Sequence, residues 1–177
     1  TSDLAAEAAR EAIHRAGLTP ADIDLIVVGT VTPDMLFPST ACLVQHKIGA
    51  NRAWGFDLSA ACSAFTYSLT VGSQLVATGG AKYALVIGAD VMSSIIDYTD
   101  RATCVLFGDG AGAVVLGPSA DENIGITAIG RGNWGNRVGI KIVPNGDNTA
   151  FTLTVMYWSE ALPPGPIVDP TSRNPDD

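Results

Sequence analysis

One cysteine stands where a reactive thiol would be expected. Cys62 follows an apolar run that ends near Leu58, and it lies at the start of a second apolar run from Ser59 to Gly79. A thiol at the start of a helix faces unpaired N–H groups and the positive end of the helix dipole, which favour the nucleophilic thiolate. The same N–H groups can hold the oxyanion formed when sulfur attacks a thioester. Free cysteines are also common packing residues, so residue type leaves both roles open.

The elements that must position this thiol follow from the hydropathy pattern. Helices are expected from Ser2 or Asp3 to Gly17 and from Ser39 to Gly49. Strands are expected at Asp24–Thr30, Ala53–Leu58, Lys82–Gly88 and Ala113–Leu116. The run from Ser59 to Gly79 lacks a polar face, which predicts a buried central helix. This alternation predicts an α/β protein with a mostly parallel sheet and helices on its faces.

The composition excludes several classes of protein. With 177 residues, 47% of them hydrophobic, the chain can bury one core of ordinary size. A formal charge of −8 disfavours nucleic acid and anionic membrane surfaces as partners. No apolar stretch reaches the roughly 20 residues that span a bilayer. Three cysteines without C-x-x-C spacing fit the cytoplasm, and with only two histidines they predict no metal site.

Four separated stretches carry a resemblance to a known family. They are FPSTAC from Phe37, FDLSAACSAF from Phe56, TDR from Thr99 and FGDGAGA from Phe107. In this order and at this spacing they resemble the β-ketoacyl-acyl-carrier-protein synthase III family of thiolase-like condensing enzymes, over residues 1–116. The block around Cys62 combined with FGDGAGA is highly specific, whereas either block alone would only be suggestive.

The resemblance implies a fold and a division of the chain. The family has the thiolase fold, in which two similar α/β halves pack together, and it forms dimers. Residues 1–145 would be the N-terminal half of such a domain without its opening strand. Residues 146–177 are expected to form an irregular or disordered tail, because the last seventeen of them include five prolines. The glycine run FGDGAGA would be a turn that lets backbones pack closely.

The resemblance also implies roles for particular residues. Cys62 would take an acyl group from acyl-CoA and then condense it with malonyl-acyl-carrier protein. Phe37 would line the acyl pocket of a partner subunit, and Met92 and Phe107 would line the pocket of their own subunit. Arg101 would lie against the adenine of CoA, which is a substrate, and no cofactor is implied. The plain alternatives are loop packing for Phe37, core packing for Met92 and Phe107, and a surface ion pair with Asp100 for Arg101.

The chain also departs from the family. The histidine and asparagine that stabilise the malonyl enolate belong to the second half of the family domain, and His14 and His46 stand in other contexts. Acylation of Cys62 is therefore expected, but condensation would need a second half, whether or not the chain forms a homodimer. A non-catalytic or truncated partner half, or another thiolase-like enzyme such as hydroxymethylglutaryl-CoA synthase, is the alternative. Cys42 and Cys104 are expected to be packing residues.

Overall fold

The computed structural model describes residues 1–119 in full and, beyond them, the backbone of residues 125–131, 137–143 and 151–156. The chain divides into two compact units, Thr1–Pro118 and Ser119–Asp177. Among the described residues, no helix combines the length and the apolar character that crossing a membrane requires.

The first unit is a mixed α/β structure. Its helices are α1 (Ser2–Arg15), α2 (Thr40–Ile48) and α3 (Ala64–Ala77), and its strands are β1 (Leu25–Gly29), β2 (Trp54–Leu58), β3 (Ala84–Val91) and β4 (Asp109–Leu116). Short 3-10 turns cover Pro20–Asp22, Ala61–Ser63 and Met92–Ser94. The strand order is β2-β1-β3-β4, in which β1 is parallel to both neighbours and β4 is antiparallel to β3. The predicted mostly parallel sheet is therefore confirmed.

The central strand β1 is buried on both faces. Successive side chains of a strand point to opposite sides. Ile26 and Val28 accordingly pack with the buried face of α1 and α2, whereas Leu25 and Val27 pack on the side of α3. All five residues of β1 are buried, as expected for a parallel strand covered by helices above and below. The prediction of helices on the faces of the sheet is confirmed.

The ends of α2 follow the signals in the sequence. The Ser39 hydroxyl caps the helix by accepting a hydrogen bond from the N–H of Cys42 at 3.3 Å. At the other end, Gly49 adopts a left-handed conformation with φ of 77°. Gly17 also has a positive φ, 67°, two residues beyond the last residue of α1. Local capping chemistry therefore places these boundaries.

The central helix begins later than the predicted run. It covers Ala64–Ala77, and its buried residues include Thr66 and Leu69. Val71 and Val76 are only half-buried in the part of the chain that the structure describes. The helix packs on the face of the sheet opposite to α1 and α2. The predicted helix is therefore confirmed, and burial of the rest of its surface stays a prediction.

The glycine run also differs from the prediction. Strand β4 begins at Asp109, so Gly110 and Gly112 lie inside a strand and pair with Asp90 and Gly88 of β3. A side chain at either glycine would meet no atom within 4 Å. The expected close-packing turn is therefore wrong, because pairing with β3 extends this segment.

The second unit contains an antiparallel sheet. Its strands are β5 (Gly125–Arg131), β6 (Arg137–Val143) and β7 (Phe151–Met156), in the order β5-β6-β7. Strand β7 lies inside the range expected to be an irregular tail. The rest of residues 146–177 lies outside the described residues, so the boundary at residue 145 stays a prediction.

We predict that Gly55→Ala destabilises the first unit. A Cβ atom at Gly55 of β2 would lie 2.5 Å from the backbone oxygen of Ile26 in β1, and neither strand can move without breaking the ladder. We expect a loss of about 1–3 kcal/mol in unfolding free energy, measured by urea denaturation. Gly112→Ala is the matched control, because its methyl group meets no atom within 4 Å. Equal midpoints for the two variants would contradict the packing argument.

Candidate active site

Three loops meet at one edge of the first sheet. Because β1, β2 and β3 are parallel, their carboxyl ends at Gly29, Leu58 and Val91 lie on the same side. Strand β4 begins at this edge, since Asp109 pairs with Val91. Residues 30–39, 59–63 and 92–108 therefore start from a common edge. In open α/β sheets, ligands bind outside the carboxyl ends of the strands.

The five residues singled out from the sequence all lie in these loops. Phe37 is in the first loop, Cys62 in the second, and Met92, Arg101 and Phe107 in the third. Phe37 is 83% exposed and Phe107 is 47% exposed, whereas Met92 is half-buried. The topology brings the five to one edge of the sheet. Their individual roles stay predictions.

The Cys62 thiol is exposed at the junction of β2 and α3. Cys62 lies in the 3-10 turn Ala61–Ser63, directly before the first residue of α3. Cys62 is therefore not buried among the described residues, and its role as the nucleophile stays a prediction. Backbone N–H groups in the first turn of a helix are free to meet an anion at such a position.

The other two cysteines differ from expectation. Cys42 lies in α2 but is exposed, with the Ser39 hydroxyl 3.2 Å from its sulfur. Cys104 is half-buried in a turn segment and not in a strand. Packing is therefore wrong as the role of Cys42. No group of three or more potential metal-ligating side chains comes together among the described residues.

The turn that carries Cys62 has a strained backbone. Ala61 has a φ of 48°, in the left-handed region that costs a residue other than glycine about 1–2 kcal/mol. Ser63 then donates its backbone N–H to the carbonyl oxygen of Ala60 at 3.1 Å, which closes the turn. The chain reverses within a few residues between β2 and α3. This strain could not be predicted from local sequence, because the residue is alanine and not glycine.

Small residues let α3 start directly against the sheet. A Cβ atom at Gly29 would lie 2.8 Å from the backbone carbon of Ala64, and one at Gly88 would lie 3.1 Å from the Cβ of Phe65. The first turn of α3 thus lies against the ends of β1 and β3. The position of the thiol is set by this backbone contact.

Aspartates fix the loop between β3 and β4. Asp109 accepts hydrogen bonds from the hydroxyl and the N–H of Ser93, at 2.6 and 2.8 Å. The Ser93 hydroxyl, and then its N–H, hold the pKa of Asp109 below its ordinary value. The hydroxyl of Thr99 likewise lowers the pKa of Asp97, and that of Thr103 lowers the pKa of Asp100. These bonds order the segment that carries Arg101.

The ion pair considered for Arg101 does not form. The Asp100 carboxylate binds the hydroxyl of Thr103 at 2.6 Å and the N–H of Ala102 at 3.0 Å. Among the described residues no ion pair joins Arg101 to Asp100. The exposed guanidinium is thus not committed to that carboxylate. These hydrogen bonds could not be predicted from the positions of the aspartates in the sequence, because their partners are set by the folded loop.

The fold and the site together define a class of protein. A sheet between helices, with an exposed cysteine where a strand turns into a helix, is the arrangement of thiolase-like α/β proteins. The sequence pattern of 3-oxoacyl-acyl-carrier-protein (ACP) synthase III matches residues 56–133. Residues 56–133 thus match the synthase III family, and a relative of that name is 60% identical over 71% of this chain. The family and the fold class expected from the sequence are therefore confirmed.

Similar proteins agree on the family. A β-ketoacyl-acyl-carrier-protein synthase III of Koribacter versatilis is 60% identical over 126 residues, which make up 71% of this chain and 38% of that protein. The 3-oxoacyl-acyl-carrier-protein synthase III structure of Aquifex aeolicus is 49% identical with a TM-score of 0.70, over 72% of this chain and 41% of that one. A priming β-ketosynthase of a polyketide biosynthetic pathway is 40% identical with a TM-score of 0.67, over 74% and 38%.

The chain spans only about two fifths of the length of these relatives. The matches cover residues that include the turn carrying Cys62 and the strand β4. The activity, substrates and partners of a whole synthase are therefore matters for proposal.

We predict that Ser93→Ala raises the pKa of Asp109 toward its ordinary value of 3.8, because the Ser93 hydroxyl is the main cause of the lowered value. A carboxyl with a depressed pKa stabilises the folded loop above its unfolded pKa, and this contribution is lost as pH falls through the folded value. In Ser93→Ala the loop should therefore loosen at a higher pH than in the wild type, still in the acidic range.

The measurement is an NMR titration of the Asp109 carboxyl. Ser94→Ala is the matched control, since the Ser94 hydroxyl donates to the carbonyl oxygen of Val91 and not to Asp109. A pKa that moves equally in both variants would show that the assigned hydrogen bond is not responsible.

Proposed function

We propose that Cys62 accepts an acyl group from acyl-CoA, and that the complete protein then condenses this group with malonyl-acyl-carrier protein with loss of carbon dioxide. The observation that carries the proposal is the exposed Cys62 thiol in the turn before α3, in a chain segment 60% identical to a synthase III. An exposed thiol at a helix start suits nucleophilic attack on a thioester.

The acylation step is a thioester exchange. The Cys62 thiolate attacks the carbonyl carbon of acyl-CoA, and backbone N–H groups at the start of α3 hold the oxyanion that develops. The tetrahedral intermediate collapses, the C–S bond to CoA breaks, and the CoA thiolate leaves and takes up a proton. The acyl group remains on Cys62 as a new thioester. No oxidant, reductant or metal takes part in this balance.

The other loop residues are proposed to bind the substrate. Met92 and Phe107 are proposed as walls of the acyl site of their own subunit, and the exposed Phe37 as a wall of the site in a partner subunit. Arg101 is proposed to lie against the CoA adenine, and its lack of an ion pair with Asp100 supports a guanidinium open to a ligand. We also propose that the protein is a dimer and that it works in the cytoplasm. The three free thiols support the cytoplasm, where cysteines stay reduced.

We propose that condensation needs residues beyond those of this stretch of chain. The enolate of the malonyl group must be stabilised by hydrogen-bond donors, and neither histidine of this chain lies in the three loops at the sheet edge, since His14 is in α1 and His46 in α2. We therefore propose that this stretch of chain forms the acyl-enzyme and that the remaining length of the protein supplies the second step. If Cys62 cannot be acylated, a non-catalytic half is the alternative.

The pathway has two candidates. Most of the similarity is to synthases of the acyl-carrier-protein type, which favours the start of fatty-acid synthesis. The likeness to a priming ketosynthase of a polyketide pathway supports polyketide initiation as the second candidate. Both begin with the same acyl transfer to the cysteine, so the chemistry at Cys62 is common to them.

We predict a stoichiometric acyl adduct when the protein is incubated with acetyl-CoA or a longer acyl-CoA. Intact-mass spectrometry should detect one adduct in the wild type and none in Cys62→Ser. Cys42→Ser is the matched control, because Cys42 is a second exposed cysteine near a helix start. An adduct that survives in Cys62→Ser, or disappears in Cys42→Ser, would place the nucleophile elsewhere.

We predict that Arg101→Ala slows acylation by acyl-CoA at subsaturating concentration by about tenfold, the effect of losing about 1.4 kcal/mol of binding. Acylation by acyl-pantetheine, which has no adenine, should be unchanged. Arg15→Ala serves as the control, because Arg15 is an exposed arginine of α1 that pairs with Glu11. Equal slowing with both acyl donors would argue against an adenine contact.

A further inference from the structure

The loop that carries Phe37 is held at both ends by carboxylates from the strands beside β1. At its start, Oδ1 of Asp90 in β3 accepts hydrogen bonds from the Thr30 hydroxyl at 3.0 Å and the Val31 N–H at 2.9 Å. The same oxygen accepts from the N–H and the hydroxyl of Thr32, at 3.2 and 2.9 Å. At the end of the loop, Asp57 of β2 accepts from the N–H groups of Thr40 and Ala41, at 2.6 and 2.8 Å.

Two of the three residues that donate hydrogen bonds to Asp90 are buried. Thr30 is 3% exposed and Thr32 is 6% exposed. The Thr32 hydroxyl, which donates to Asp90, also accepts the N–H of Val91 at 2.8 Å. Four donors thus converge on one carboxylate oxygen, and displacing the loop would leave buried polar groups without partners.

The tip of the loop has the opposite character. Met35, Leu36 and Phe37 are 48%, 96% and 83% exposed, although all three are apolar. Just before the tip, Asp34 accepts the N–H and the hydroxyl of Ser2, at 2.9 and 3.0 Å. Just after it, Ser39 caps α2. An exposed apolar segment between fixed polar anchors is the form of a binding element carried by a rigid scaffold.

We infer that Asp90 is a positioning residue that fixes the tip Met35–Phe37 as a wall of the acyl site in a partner subunit, and so influences the length of acyl chain that this site accepts. The inference rests on the proposed function, because that function gives the site an acyl chain to hold. Asp90 is also two residues from Met92, the proposed wall in the third loop. Asp90 therefore anchors the loop that carries Phe37 and lies just before the loop that carries Met92.

Three variants separate positioning from general stability. Asp90→Ala removes the anchor, whereas Asp90→Asn keeps an oxygen at the Oδ1 position that all four donors use. Asp24→Ala is the matched control, since Asp24 accepts the N–H groups of Lys82 and Tyr83, at 3.0 and 3.1 Å, at the opposite edge of the sheet. Thr32→Val tests the same anchor from the loop side should Asp90→Ala not fold.

The readout is the reaction of Cys62 with methyl and octyl methanethiosulfonate in the full chain, measured as a ratio of rates. Asp90→Ala, or Thr32→Val in its place, should change the octyl-to-methyl ratio by roughly fivefold, as for residues coupled through one network. It should also speed cleavage by chymotrypsin at Leu36. Asp90→Asn and Asp24→Ala should keep the wild-type ratio.

An unchanged ratio in the anchor variants, or an equal change in Asp24→Ala or Asp90→Asn, would overturn the inference. The probes react with any accessible thiol and need no enzymatic activity. Failure of acyl-CoA to acylate Cys62 would therefore overturn the proposed function by itself, while the ratio would still decide whether Asp90 positions the loop.

Discussion

The parallel pairing of β1 with both β2 and β3 is the constraint on which the rest of the first unit depends. Because the central strand is buried on both faces, helices must lie above and below it. Because the three strands run in one direction, their carboxyl ends form a single edge, from which the loops that carry Phe37, Cys62 and Met92 start. The candidate site is thus a consequence of topology before any side chain is considered.

Polar contacts then determine the shape of these loops. Near this edge, Asp90 and Asp109 accept backbone N–H groups of loop residues, and Asp57 accepts those of Thr40 and Ala41 in the first turn of α2. A backbone N–H that leaves a sheet or opens a helix needs a partner, and a carboxylate can accept several at once. The aspartates therefore order the loops, while apolar and reactive side chains remain available to a ligand.

Much of the fold could be predicted from local sequence, and some of it could not. The run that became β1, the cap at Ser39 and the left-handed Gly49 are local signals, and the structure follows them. The burial of α3 and the extension of β4 through Gly110 depend on the elements packed or paired with them. The hydropathy pattern along the chain does not predict these neighbours. The role of Asp90 depends on partners about sixty residues away in sequence.

The candidate site was partly visible for the same reason. Cys62 stands between a predicted strand and a predicted helix, so its position could be foreseen, and the family resemblance pointed to the other loop residues. The left-handed Ala61 could not be foreseen, because alanine gives no conformational signal. Contacts such as Gly29 against Ala64 require the packed structure, since each glycine has several ordinary roles in a sequence.

The close contact between Gly29 and Ala64 has a consequence for substitution at the nucleophile. The turn is held by backbone contacts that are possible because Gly29 has no side chain. The Sγ atom of Cys62 is therefore not needed to hold the turn in place. An oxygen in place of the sulfur should occupy nearly the same point in space. Replacing the sulfur by oxygen should therefore change the reactivity of this position while its backbone geometry stays the same.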